Sequence, residues 1–136
     1  MLVQAYLSFE GRCEEALEFY RRALDAKVTM LMRFKDSPDP AMRATTPEAQ
    51  NKVLHSTFQV GETTLMASDG RCSGKPVFQG VSLAITVPDV AAADRRFHAL
   101  AEGGQVQQPL TQTFFSPRFG MVLDRFGVSW TIVTAQ

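Results

Sequence analysis

The sequence predicts an α+β fold made of two tandem βαβββ modules. Three observations carry this reading: a strand period, a helical period and three further strand periods follow one another; a turn-rich stretch interrupts them; and the same order then restarts. The two halves agree in element order rather than in residue identity. A helix that returns to its own sheet covers one face, which leaves the other face free to meet a second layer or to line a cleft.

The elements follow in order. Val3 to Phe9 alternates as a strand and breaks at Glu10-Gly11. From Cys13 to Ala26 the apolar residues Ala16, Leu17, Tyr20, Ala23 and Leu24 recur at helical spacing. Acidic Glu14 and Glu15 lead this helix and basic Arg21 and Arg22 close it, which suits the helix dipole. Lys27 to Phe34 alternates again, and Asp36 to Lys52 reads as a long polar loop with a short helix after Pro47. Val53–Val60 and Thr63–Ala67 flank Gly61-Glu62 as a hairpin. Asp69 to Pro76 is the linker candidate. Val81–Val87 is a β-branched strand, Asp89 is placed to cap the next helix, and Gly103-Gly104 ends it. Strands are expected around 105–108, 111–115, 119–124 and 128–134. The division is therefore module 1 over 1–69, a linker over 70–78 and module 2 over 79–136, together forming one domain.

Composition narrows the function. Hydrophobic residues make up 45% of the chain, enough for a real core. Fourteen basic residues balance fourteen acidic ones, so the attraction that drives non-specific binding to nucleic acid or to anionic membranes is missing. No apolar run reaches the roughly 20 residues of a membrane helix, and Met1 to Tyr6 lacks the pattern of a secretory signal. Cys13 and Cys72 form no Cys-x-x-Cys pair and read as reduced thiols, which places the protein in the cytoplasm.

Three ordered motifs carry a resemblance. Tyr6-Leu7-Ser8-Phe9-Glu10-Gly11 followed by Glu15-Ala16-Leu17-Glu18-Phe19-Tyr20 opens the chain. His55, Gly61, Leu65-Met66 and Ser68-Asp69 mark its middle, and Asp124-Arg125-Phe126-Gly127-Val128-Ser129-Trp130 closes it. Over nearly its whole length the chain resembles the PhnB-like, 3-demethylubiquinone-9 3-methyltransferase-like branch of the vicinal oxygen chelate superfamily. That superfamily contains glyoxalase I, bleomycin-resistance proteins and extradiol dioxygenases. The resemblance implies curved mixed sheets around a pocket, a homodimer and, in the enzymes, a divalent metal held by His and Glu.

Laying the glyoxalase-type ligand pattern over the chain puts its four positions near Ala5, Ser56, Ser82 and Thr131. None of these is a good partner for a divalent cation. His55 lies one residue from the second position, and the only other histidine, His98, falls on the outside of a helix. No metal and no other cofactor is therefore expected. The methyltransferase label finds no Gly-x-Gly-type turn between strand and helix to hold a nucleotide.

Tyr6, His55, Ser82, Phe115 and Trp130 are the ligand-pocket candidates. In the strand 53–60, Val53, His55, Thr57 and Gln59 share one face. His55 reads either as an acid, base or ligand anchor or as a hydrogen-bonded structural residue. Trp130 either stacks on a ligand or fills core. Of Phe114 and Phe115, one is expected in the core and the other at a pocket or partner surface. Tyr6 and Ser82 offer hydroxyls that orient a ligand. Met30, Met32, Met42 and Met66 read as core filler. The expectation is a homodimeric small-molecule-binding or sequestering protein, with a divergent metal-dependent lyase, isomerase or dioxygenase as the alternative.

Overall fold

A computed structural model of the chain describes residues 1–43 and 46–135. It divides into two compact units, Met1–Pro76 and Val77–Gln136, here called module 1 and module 2. In module 1 the strands are β1 (Tyr6–Ser8), β2 (Lys27–Arg33), β3 (Val53–Val60) and β4 (Thr63–Ser68). They form a sheet in the order β1-β4-β3-β2, with β1 parallel to β4 and the other pairs antiparallel. Helix α1 (Cys13–Leu24) makes the crossover between β1 and β2. The first strand starts at Tyr6 rather than at Val3, although Ala5 O still accepts the Met66 N–H at 3.0 Å.

Helix α1 buries the stripe that its spacing announces: Ala16, Leu17, Tyr20, Ala23 and Leu24, joined by Cys13 and Phe19. The Tyr20 ring stacks on Phe58 of β3 with centroids 6.1 Å apart, and Phe9 closes the same cluster. Each of these large side chains contributes about 1.5–3 kcal/mol by leaving water. The segment after β2 holds a 3-10 turn (Phe34–Asp36) and two short helices, α2 (Pro40–Arg43) and α3 (Pro47–Gln50). The helix expected after Pro47 is thus present, with Thr46 Oγ1 accepting the Ala49 N–H at 3.3 Å.

Module 2 repeats the plan. Its strands β5 (Leu83–Val87), β6 (Gln105–Thr111), β7 (Phe119–Leu123) and β8 (Ser129–Thr134) lie in the order β5-β8-β7-β6. Helix α4 (Val90–Ala101) packs on them through Ala92, Ala93, Phe97 and Leu100. Asp89 caps it, with Oδ1 accepting the Ala92 N–H at 2.8 Å. Gly103 takes a φ of +76°, the left-handed turn that releases the chain into β6. A Cβ on Gly104 would sit 2.1 Å from the Leu123 carbonyl oxygen, so glycine is what lets β6 begin against β7.

One expected strand is absent. Residues 112–118 form a loop, and β6 instead runs on to Thr111. Thr113 Oγ1 accepts the N–H groups of Phe115 and Ser116 at 3.3 and 3.1 Å, which turns the backbone before a second ladder can form. Neither phenylalanine of the pair enters the core: Phe114 is 96% exposed and Phe115 42%. Phe115 packs edge-on against Phe119, with centroids 5.1 Å apart.

Candidate functional site

Strand alternation and cross-strand pairing identify the sheet face that α1 leaves uncovered in module 1. Ser56 and Phe58 point to the helix, beside Cys13 and Tyr20. Their neighbours His55 and Thr57 therefore point the other way. Residues paired across strands share a face, so Met32 joins His55, while Met30, Met66 and, through Met66, Tyr6 join Thr57.

Across this face Tyr6 on β1 and His55 on β3 reach over β4, which lies between their strands. Tyr6 Oη and His55 Nδ1 lie 2.8 Å apart, and the two rings tilt at 38° with centroids 5.5 Å apart. When the phenol donates to Nδ1, the imidazole keeps an Nε2–H for a ligand. When Nδ1–H donates to Oη, the phenol O–H and the Nε2 lone pair are left. Either way the pair offers a hydrogen-bond donor on the uncovered face. A second hydroxyl pair lies on the same sheet, Thr29 Oγ1 and Thr57 Oγ1 at 2.7 Å.

The uncovered face of module 2 follows in the same manner. A Cβ on Gly120 would meet Phe97 of α4, so Gly120 faces the helix and Phe119 and Met121 face away. Thr131 pairs with Met121 and shares that face. Ser82 Oγ lies 2.9 Å from Thr131 Oγ1 and 3.3 Å from Ser129 Oγ, which makes an uncharged hydroxyl cluster. Trp130 points to the opposite side, is enclosed, and donates Nε1–H to Asp124 Oδ2 at 2.8 Å. Of the five candidates, the structure pairs Tyr6 with His55, puts Ser82 in the hydroxyl cluster, sets Phe115 in the 112–118 loop and locks Trp130 in the core.

Two details of the sequence reading change. The metal-ligand overlay fell on Ala5 and Ser56, but the observed register puts Tyr6 and His55 on the uncovered face. Ser56 faces the helix, where its hydroxyl donates to Ala67 O at 2.7 Å. The methionines are not core filler either: Met30 is 40% exposed and Met42 42%, while Met66 is half-buried. The positions a glyoxalase-type metal would need thus carry a phenol, one imidazole whose Nδ1 is already engaged, and neutral hydroxyls. That donor set does not fit a divalent cation. Among the described residues no group of three His, Cys, Asp or Glu side chains is placed to hold a metal ion.

A hollow of about 450 Å3 in the surface of module 1 lies elsewhere, at the N-terminal end of α1. Its polar lining is committed to protein partners. Arg33 holds Glu14 at 2.7 Å, Lys52 Nζ donates to Gly11 O at 2.8 Å, and Asp69 accepts backbone N–H groups. Arg33 and neighbouring Lys52 hold the Glu14 carboxyl below its usual range. Those links tie helix to sheet, so the hollow is a joint and not the candidate site.

Cys13 lies under the same joint. Burial, with the Asp69 charge adding to it, pushes its thiol up to about 12 from an ordinary 9.0. The folded state then keeps a proton that the unfolded chain releases. The resulting stability is fully present below pH 9, declines by about 1.4 kcal/mol per pH unit as pH rises, and is gone above the folded value. Urea denaturation at several alkaline pH values is expected to show this decline, and Cys13→Ala to flatten it. In native protein iodoacetamide should label the half-exposed Cys72 well before the enclosed Cys13.

Comparison with known proteins agrees with this geometry. The family model described as 3-demethylubiquinone-9 3-methyltransferase matches residues 2–133. Protein YjdN of Escherichia coli is 30% identical over 97% of this chain and 94% of its own. The crystal structure of PA1353 from Pseudomonas aeruginosa superposes with a TM-score of 0.86 at 37% identity, covering 100% of this chain and 98% of that one. A putative 3-demethylubiquinone-9 3-methyltransferase, the PhnB protein of Bacillus cereus, gives 0.80 at 29% identity over 99% and 100%. A glyoxylase/bleomycin resistance protein/dioxygenase domain from Frankia, at 15% identity and 0.66 over 98% and 94%, shares the fold alone. With the βαβββ repeat, the Asp124–Trp130 closing motif and a family model spanning nearly all of it, the chain belongs to the PhnB-like, 3-demethylubiquinone-9 3-methyltransferase family.

Proposed function

We propose that this protein binds a small molecule on the uncovered sheet face of module 1, with Tyr6 and His55 as its polar anchor and without a metal ion. The observation that carries this reading is the Tyr6–His55 hydrogen bond, 2.8 Å long, on the sheet face opposite to the one α1 covers. A single partly exposed hydrogen bond adds only about 0.5–1.5 kcal/mol to stability, so the pair keeps most of its value for a partner on that face. The pair is preorganised, and ligand sites join a few such polar groups to an apolar surround. The protein works in the cytoplasm as a homodimer in this reading, which accords with its balanced charge and its two free thiols.

The test is a thermal-shift screen of the purified protein. A compound that binds only the folded state raises the unfolding midpoint, by the equivalent of about 2.7 kcal/mol at a hundred times its dissociation constant. Tyr6→Phe and His55→Gln are expected to remove that rise while leaving the unliganded midpoint within about 0.5 kcal/mol of the parent, because both side chains are partly exposed. A stabilising compound whose effect survives both substitutions would place binding elsewhere and end the proposal. Elemental analysis after dialysis is the companion measurement, and stoichiometric zinc, nickel, manganese or iron would overturn the metal-free reading.

A further inference from the structure

The chain spends its charges unevenly. In the eight strands described, only Lys27 and Arg33 are charged, and they stand at the two ends of β2. Arg33 turns away to pair with Glu14 of α1 at 2.7 Å. The uncovered face of module 1 thus has no charged side chain in its middle, although 21% of the chain is charged. A sheet face meant for water normally carries charged residues among its outward positions. At the C-terminal end of β1, Glu10 accepts the Ser8 hydroxyl at 2.5 Å and the Arg71 N–H at 3.0 Å. The Ser8 hydroxyl and burial act oppositely on Glu10, and the hydroxyl prevails, so its carboxyl stays below the usual range and remains anionic. A negative group at the edge of a neutral face disfavours a second anion there.

Three methionines fill that middle. Met66 pairs directly with both Tyr6 and Thr57, Met32 pairs with His55, and Met30 pairs with Thr57. Thioethers are polarisable, adapt their shape, and gain from contact with aromatic rings. Met30 is 40% exposed and Met32 and Met66 are half-buried, so each keeps surface that a ligand can cover. Beside them the Tyr6–His55 pair offers a donor in both of its hydrogen-bonding states, and an acceptor lone pair on Oη or on Nε2. An oxygen atom can answer both states.

We infer that the ligand of this face is an uncharged aromatic compound bearing a hydroxyl or carbonyl oxygen. Its ring lies on Met30, Met32 and Met66, and its oxygen meets Tyr6 and His55. This inference rests on the small-molecule reading above and adds the chemical class.

The experiment uses the intact chain with 13C-methyl-labelled methionine and four probes of one shape: p-cresol, toluene, p-toluate and benzylamine. The p-cresol titration is expected to saturate and to move the methyl signals of Met30, Met32 and Met66. Met42, in the separate helix α2, is the internal control and should stay still. Toluene should bind about five- to tenfold more weakly than p-cresol, the difference one hydrogen bond makes. Tyr6→Phe should bring p-cresol close to toluene without altering toluene itself. p-Toluate and benzylamine should each bind at least about tenfold more weakly than p-cresol. Either charged probe binding as tightly as p-cresol, through the same methyls, overturns the ligand class and leaves the small-molecule site standing. If Met66→Glu dissociates a dimer and no probe moves the three methyls, the face belongs to a second copy of the chain, and both readings fall.

Discussion

Asp69→Ala is expected to lower the free energy of unfolding by about 3–5 kcal/mol, a loss seldom reached by a single residue outside the apolar core. The Asp69 side chain is only 1% exposed and serves three backbone donors. Oδ1 accepts the N–H groups of Gly11 and Cys13 at 2.9 and 2.7 Å, and Oδ2 accepts that of Val53 at 2.7 Å. Helix α1 begins with Arg12 in the capping position, and Arg12 makes no side-chain cap. The free N–H groups at its start are therefore answered by a carboxylate at the end of β4. The same carboxylate pins the start of β3, so one side chain fastens helix, β3 and β4 together. Alanine would take the acceptor from two enclosed donors, Cys13 and Val53, and from the partly enclosed Gly11 N–H. The milder substitution Asp69→Asn retains one acceptor oxygen and should cost about half as much. Urea denaturation with an unchanged slope is the measurement, and a loss under about 1 kcal/mol for Asp69→Ala would show that water replaces the carboxylate freely.

Asp124→Ala is expected to cost about 2–4 kcal/mol by the same physics in module 2. Asp124 Oδ1 accepts the N–H groups of Phe126 and Val128 at 2.9 and 3.0 Å, while Oδ2 takes the Trp130 indole N–H at 2.8 Å. Gly127 stands between them with a φ of +90°, which side chains rarely tolerate. The Asp-x-Phe-Gly-x-x-Trp signature is thus a turn that staples β7 to β8 and locks the largest enclosed side chain among the described residues. Trp130→Phe removes the indole donor and some packing, at about 2–3 kcal/mol. The double variant should fall short of the sum of the two losses by about 1–2 kcal/mol, because both substitutions break the same bond. Strict additivity would mean that the indole N–H contributes nothing through Asp124.

Much of the fold was legible because periodicity is local. The α1 stripe of Ala16, Leu17, Tyr20, Ala23 and Leu24 emerged as the buried face without correction. The same holds for the hairpin around Gly61 and for the cap by Asp89. The errors came where a residue's role depends on something that residue type and periodicity do not encode. Met30 and Met66 are apolar and alternate properly, and only the placement of α1 on the opposite side of the sheet left them outside the core. Phe114 and Phe115 read as strand, with one of them in the core, yet the Thr113 hydroxyl accepts the Phe115 and Ser116 N–H groups and bends the chain before either ring can pack inward. The ligand overlay was off by one residue in module 1, and in a strand one residue is the difference between the two faces.

The candidate site was half legible. Tyr6 and His55 were each marked out, but nothing in the linear order joins two residues separated by 49 positions. Asp69 and Asp124 were visible only as parts of motifs, without a stated task.

The sequence by itself determined the βαβββ order, its duplication and the family, since these lie in residue type and spacing, while the extra strand expected over 111–115 and the helix α2 fell outside that pattern. Tertiary structure alone decided which face of each sheet its helix covers, and so which polar groups are left open to a ligand. Periodicity sorts a strand into two faces, but only contacts between segments far apart in the chain choose which of them is buried.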